Sequence, residues 1–135
     1  MTAHVHPHLT KNQALVFGSL TEAEGPLTAY AILDHLRDSG FRAPLQVYRA
    51  LDKLVEYGLV HRLESLNAFV ACSHSGCASH KSAAFAICDT CGQVVEFSPD
   101  EAIDLLTNWT QDRGFQLSKT TIELRGVCQK CAAAN

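Results

Sequence analysis

Residues 45–58 read LQVYRALDKLVEYG and residues 59–71 read LVHRLESLNAFVA. In the first stretch Val47, Leu51, Leu54 and Val55 recur at three- and four-residue steps, which predicts a helix from about Leu45 to Tyr57 with one apolar face. Gly58 ends it, because glycine takes up the left-handed conformation that closes a helix. The second stretch holds two short β-rich segments, Leu59–Glu64 and Ala68–Ala71, on either side of the turn Ser65-Leu66-Asn67. Toward the N-terminus a helical pattern starts at Thr10, carries Leu15, Val16, Phe17 and Leu20, and breaks at Gly25-Pro26. Thr28 then reads as the N-cap of a helix through Ile32, Leu33 and Leu36 that stops at Gly40. Three helices and a β-hairpin, in that order, make a winged helix-turn-helix. His4, His6 and His8 sit in an otherwise featureless start, which reads as a frayed end.

Beyond the hairpin, residues 72–82 are small and polar and read as a linker. A strand (Ala84–Ile87), a second strand (Gln93–Phe97) and a helix opened by Ser98-Pro99 follow. That helix is expected to bury Ala102, Leu105, Leu106 and Trp109 and to end at Gly114. A last strand, Phe115–Leu124, changes apolar parity between Leu117 and Ile122, which suggests a bulge or burial on both faces. The expected fold is therefore α+β. Residues 1–72 form a winged-helix DNA-binding domain, 73–82 a hinge, and 83–135 a small α/β dimerisation domain with structural zinc.

The zinc expectation comes from two CxxC pairs, Cys88/Cys91 and Cys128/Cys131. Together they offer four thiolates, the donor set of a closed tetrahedral structural site. The 36 residues between the pairs exceed the spacing of a compact zinc module, so the metal would staple the tail to a distant strand turn. Disulfides or a redox dithiol are the alternatives. Six cysteines behind a start with no basic-then-apolar leader favour a reducing compartment and metal ligation, hence a cytoplasmic protein. No run of about 18 apolar residues is present, so no membrane span is expected. At 135 residues the chain can bury a real core.

Net charge is −3, which does not advertise a nucleic-acid binder, so local charge has to carry that case. Arg42, Arg49 and Lys53 face one acid, Asp52, between residues 41 and 53. Gln46, Arg49, Lys53 and Glu56 lie opposite the apolar stripe of the third helix. The start of such a helix meets base edges in the major groove. Arg49 can pair bidentately with guanine, worth about 1–3 kcal/mol of discrimination, and Tyr48 can meet a phosphate or a thymine methyl. Arg42, Gln46, Tyr48, Arg49 and Lys53 are therefore the candidate DNA contacts. The alternative is an ordinary solvated helix face. Weak positive charge implies that one copy binds poorly and that a dimer is needed.

Four more donors flank the linker: His61, Cys72, His80 and Glu96. No local motif declares them, and each alone has an ordinary structural explanation. At this point a resemblance enters. Val47-Tyr48-Arg49-Ala50-Leu51, Gly58-Leu59-Val60-His61-Arg62, Phe85-Ala86-Ile87-Cys88-Asp89-Thr90-Cys91-Gly92 and Gly126-Val127-Cys128-Gln129-Lys130-Cys131 resemble the ferric uptake regulator superfamily in its zinc uptake regulator branch, over roughly residues 10–131. The resemblance implies structural zinc on Cys88, Cys91, Cys128 and Cys131, and regulatory zinc on His61, Cys72, His80 and Glu96: two zinc ions per chain. It implies a homodimeric, zinc-responsive repressor of zinc-uptake genes, bound to an AT-rich inverted-repeat operator in double-stranded DNA.

The chain departs from the iron-sensing pattern at His80-Lys81-Ser82-Ala83, where that branch is rich in histidine. Thiolate with imidazole also suits zinc over manganese. His74 and Cys77 are spare donors. Asp34 and Arg37, three apart, read as an ordinary i,i+3 pair, with contacts between neighbouring dimers as the alternative. Competing readings are a sensor of another metal or of peroxide, a thiol redox switch at Cys72 and Cys77, and a zinc enzyme. The H-x-E of zinc deaminases is missing, so an enzyme is not expected.

Overall fold

Thr10 starts the first helix, α1 (Lys11–Glu22), with a reciprocal cap: its Oγ1 accepts from the Gln13 N–H at 3.2 Å, and Gln13 Oε1 accepts from the Thr10 N–H at 3.0 Å. Two amides that a helix start leaves orphaned are thereby satisfied. Thr28 caps α2 (Ala29–Leu36) in the same sense, accepting from the Ala31 N–H at 3.1 Å. A 3₁₀ turn (Arg37–Ser39) and Gly40 at φ 98° close it, a backbone region that favours glycine. Pro44 opens α3 (Pro44–Glu56), where its missing N–H removes no helical hydrogen bond. These features come from a computed structural model that describes residues 8–72 and 82–134. The chain divides into two compact units, Met1–Ala78 and Ser79–Asn135.

In the first unit Val16 and Leu20 of α1, Ile32, Leu33 and Leu36 of α2, and Val47, Leu51 and Leu54 of α3 share one core with Phe41, Val60 and Phe69. β1 (Val60–Leu63) and β2 (Ala68–Ala71) form the wing as an antiparallel pair, in register from Val60↔Ala71 to Leu63↔Ala68. Asn67 makes the turn at φ 48°. The wing is tied back by Leu27, which exchanges two backbone hydrogen bonds with Phe69 (3.0 and 2.8 Å). Asp34 and Arg37 form the i,i+3 pair, Nε to Oδ1 at 3.0 Å, and its exposure makes its contribution to stability small.

The second unit is a three-stranded sheet ordered β4-β3-β5. Its central strand β3 (Ser82–Cys88) pairs antiparallel with β4 (Val94–Phe97) and parallel with β5 (Thr120–Gly126). Parallel pairing needs a crossover, which α4 (Asp100–Asp112) supplies. A short helix, α5 (Gln129–Ala133), was not anticipated from the sequence. The β3–β5 register runs unbroken from Ser82↔Thr120 to Cys88↔Gly126, so β5 has no bulge. The strand also starts later than expected. Gly114 at φ 66° and the Phe115 N–H, donating to Thr110 O at 2.9 Å, still belong to the end of α4.

One expectation is overturned. Leu105, Leu106 and Trp109 are 71%, 47% and 54% exposed, and Ala102 is exposed as well. Thr110 is buried instead, with Ile103 and Thr107 half-buried. The apolar stripe of α4 exists, but a single copy of the chain leaves it to solvent.

Leu51 has no exposed surface and lies inside the first core. Leu51→Ala should destabilise that unit by about 2–5 kcal/mol through lost burial and a cavity. Leu45→Ala, at a half-exposed position on the same helix, should shift stability by no more than about 0.5 kcal/mol. Urea unfolding followed by helical circular dichroism measures both.

Candidate functional sites: a four-cysteine centre and an exposed helix face

The β3–β4 turn is a knuckle. The Cys88 N–H donates to Gln93 O at 2.9 Å, the Gly92 N–H donates to Cys88 O at 3.0 Å, and Gly92 sits at φ 79°. Cys88 ends β3 and is buried, while Cys91 lies exposed at the tip. The parallel ladder carries β5 to Gly126 beside Cys88, which delivers Cys128 and, one helical turn on, Cys131. The result is four sulfurs within 4.8 Å of one another. Cys91 and Cys128 are 3.8 Å apart at Sγ.

Backbone amides already favour a thiolate here. The Cys128 and Cys91 N–H groups donate to Cys88 Sγ at 3.3 and 3.4 Å, and the Cys88 thiol is held down to about 6, chiefly by the Cys128 amide and then by that of Cys91. The opposite holds for Cys131. Its thiol is pushed up to about 12, first by its hydrogen bond with the Cys128 sulfur and then by burial. Four clustered sulfurs cannot all ionise without a cation between them. A soft dication with tetrahedral preference meets that need, and the donor set, with its N–H donors, fits zinc.

Of the other predicted ligands, His61 and Cys72 of the first unit offer donor atoms within 4.8 Å of each other. His61 is half-buried on β1, across from Val70. Cys72 follows β2, its N–H donating to Leu59 O at 2.8 Å, and it is disulfide-bonded in this structure. Glu96 is half-buried on β4, across from Phe85. His80, His74 and Cys77 lie outside the described residues, as do His4 and His6.

The predicted DNA contacts separate by burial. Arg42 and Arg49 are exposed, and among the described residues neither side chain pairs with an acid. Lys53 is exposed and pairs with Glu56 at 3.2 Å. Tyr48 is half-buried against the core. Gln46 is already employed: its Oε1 accepts from the Arg42 and Ala43 N–H groups at 2.7 and 3.1 Å, capping α3. Sequence reasoning put Gln46 on the reading face and missed this cap, although a glutamine at the third helical position is its known signal. It also missed an ion pair at the knuckle, where Asp89 meets Arg125. Residue types alone do not announce that pair.

A winged helix-turn-helix joined to a small α+β unit with a four-thiol centre defines a winged-helix metalloprotein. Residues 8–125 match the ferric uptake regulator family. The zinc uptake regulation protein of Escherichia coli K12 is 39% identical over 124 residues, which cover 91% of this chain and 72% of that one. The crystal structure of holo XcZur has a TM-score of 0.84 at 44% identity, covering 93% of this chain and 87% of that chain. A zinc uptake regulator complexed with zinc and DNA has a TM-score of 0.86 at 34% identity, covering 98% and 88%. The chain belongs to the ferric uptake regulator family, in its zinc uptake regulator branch.

Cys91→Ser removes one of the four sulfurs. Metal bound at this centre should be lost and the cooperative unfolding of the second unit with it, while the first unit keeps its helices. Trp109 is the only tryptophan, so its fluorescence reports the second unit alone and circular dichroism at helical wavelengths largely the first.

Proposed function

We propose that this chain is a cytoplasmic, homodimeric, zinc-responsive transcriptional repressor of zinc-uptake genes that binds an AT-rich inverted repeat. The observation that carries the reading is likeness along nearly the whole chain to a regulator solved with both zinc and DNA. Residues 1–72 would read DNA, 73–82 would act as hinge and 83–135 would dimerise. Cys88, Cys91, Cys128 and Cys131 hold a permanent zinc in this reading. His61, Cys72, His80 and Glu96 hold a second, removable one, which makes two per chain. The four residue types in the second set agree with the pattern of the branch.

The mechanism follows from where those donors lie along the chain. His61 belongs to the wing and Glu96 to the second unit, so sharing one ion restrains the reading head against the dimerisation domain. One thiolate and one carboxylate neutralise the dication, so charge near DNA does not change and the effect is geometric. Two recognition helices must stand about 34–36 Å apart to enter successive major grooves. Restrained heads avoid the ordering cost that free heads meet on binding. Zinc and DNA would then favour each other by about 1–3 kcal/mol, a reciprocal coupling. Ligand protons compete with the metal, so the response weakens in acid.

Self-association is supported by the second unit. An exposed face with Leu105, Leu106 and Trp109 on one helix is what a second copy would cover. Arg42, Arg49 and Lys53 would supply phosphate and base contacts, with Tyr48 beside them. Gln46 keeps its Oε1 in the helix cap, so it would meet DNA through its amide N–H groups.

A second reading, a thiol switch at Cys72, is favoured by its disulfide-bonded state. Under the zinc reading that bond must be reduced before Cys72 can ligate.

DNA binding titrated over buffered free zinc separates these readings, with metal counted per chain. Reduced wild type should hold two zinc ions and tighten on DNA by about 5–150-fold with zinc, the span of such couplings. Cys72→Ser should stay folded, keep one zinc and lose the zinc dependence. Zinc-dependent affinity unchanged in that variant would remove Cys72 from the sensor, whereas DNA release by oxidant alone, at constant zinc, would favour the thiol switch. Arg49→Ala should weaken zinc-loaded binding by about 1–3 kcal/mol and relax specificity at one base pair. Leu105→Glu should shift the protein toward monomer in sedimentation.

A further inference from the structure

Asp89 lies inside the first CxxC and Arg125 lies three residues before the second, and the two side chains meet across 36 residues of chain. Arg125 donates from Nε at 2.9 Å and from Nη2 at 2.7 Å, both to Asp89 Oδ1. In the same place the Asp89 N–H donates to Gly126 O at 2.7 Å, one step past the last ladder pair, Cys88↔Gly126. The knuckle and the end of β5 are thus fastened by one backbone bond and one forked ion pair, beside the sulfurs of Cys88 and Cys128.

We propose that Asp89 and Arg125 form a positioning clamp for the four-cysteine centre, holding the two CxxC segments at ligating distance so that the metal meets a nearly assembled site. An exposed ion pair contributes little to global stability, and both side chains are close to half exposed, so fold stabilisation is a poor account of it. Outer groups that orient ligands carry a larger effect on the metal, about 10–100-fold in affinity. The clamp rests on the reading of the four cysteines as a zinc site, and not on any reading of DNA binding.

The two roles open to this pair predict opposite signs. Zinc with four thiolates is doubly negative, so if only charge mattered, removing the Asp89 anion would favour the loaded form. A clamp predicts the reverse. The test uses full-length protein carrying Cys72→Ser and Cys77→Ser, so that every thiolate–cobalt absorption band arises from the remaining four cysteines. Cobalt and zinc affinities are read by competition with a chelator at neutral pH. Asp89→Asn and Arg125→Gln should each weaken metal binding by at least about 10-fold, with the tetrahedral cobalt bands retained at saturation. Arg125→Lys, which keeps the charge and loses the fork, should fall between, and it carries the test if Arg125→Gln does not fold. Affinity in Asp89→Asn equal to or tighter than the parent overturns the clamp alone. A parent that shows no thiolate–cobalt band overturns the clamp together with the zinc reading beneath it.

Discussion

Mutual repulsion among four clustered sulfurs is the constraint on which the second unit depends. Hydrogen bonds hold the Cys88 thiol down to about 6, while the Cys128 sulfur and burial push Cys131 up to about 12. One corner of the cluster is therefore ready to be anionic and another resists it. A cation lets all four sulfurs ionise together, and in doing so it joins a strand turn to the segment after β5. The unit needs the join. It runs from Ser79 to Asn135, and among its described residues those buried, apart from Thr110, are Ala84, Phe85, Ile87 and Cys88, all on one strand. Domains of this size have small, marginal cores, and metals or oligomerisation commonly reinforce them. Both are expected here, the second because α4 leaves Leu105, Leu106 and Trp109 exposed.

The first unit is built on the opposite principle. Three capped helices close around Val16, Ile32, Val47, Leu51 and Leu54, all fully buried, and the wing adds Val60 and Phe69. With the core on the inner faces, the outer face of α3 and the turn before it carry arginines that pair with no acid among the described residues. In the proposed repressor Arg42 and Arg49 would be the electrostatic footprint of a chain whose net charge is −3. So small a footprint gives one copy few phosphate contacts, and the affinity of paired heads depends on their spacing. In the proposed repressor, restraint of the heads rather than added charge therefore sets affinity.

What could be read from the sequence followed local periodicity and capping chemistry. Thr28, Gly40, Gly58, the Asn67 turn and the CxxC knuckle act within a few residues, and each stands in the structure as the local rules require. The four-cysteine centre was legible for a different reason: few other chemistries need four thiols in two closely spaced pairs. Legibility failed where a residue's role depends on distant chain. The stripe on α4 was correctly apolar, but whether one copy or two covers it is not written in its period. β5 is joined parallel to β3 through a crossover, so its start at Thr120 depends on a partner some 38 positions away. The Gln46 cap was missed because the outward face of the helix was weighed and its third position was not, where a glutamine accepts from the amides before the helix. His61, Cys72 and Glu96 share no local motif, so in the sequence only a resemblance links them.

Two ions of one element can serve opposite purposes only if their sites differ in how readily they empty. A tetrathiolate centre holds its metal against protons and chelators because four charged, soft donors must be displaced in turn. In the proposed sensor set one thiolate, two imidazoles and one carboxylate confer less charge, and imidazole must be neutral to bind metal. That set also draws on segments far apart in sequence, so filling it requires ordering more chain, and each ordered residue subtracts from affinity. The fixed site, by contrast, arrives nearly assembled: the strand ladder, the Asp89 amide and the Asp89–Arg125 pair have ordered it before metal enters. In the proposed repressor, preorganisation would thus separate a metal that belongs to the fold from one that reports on the cell, the two differing by their surroundings as well as by their ligands.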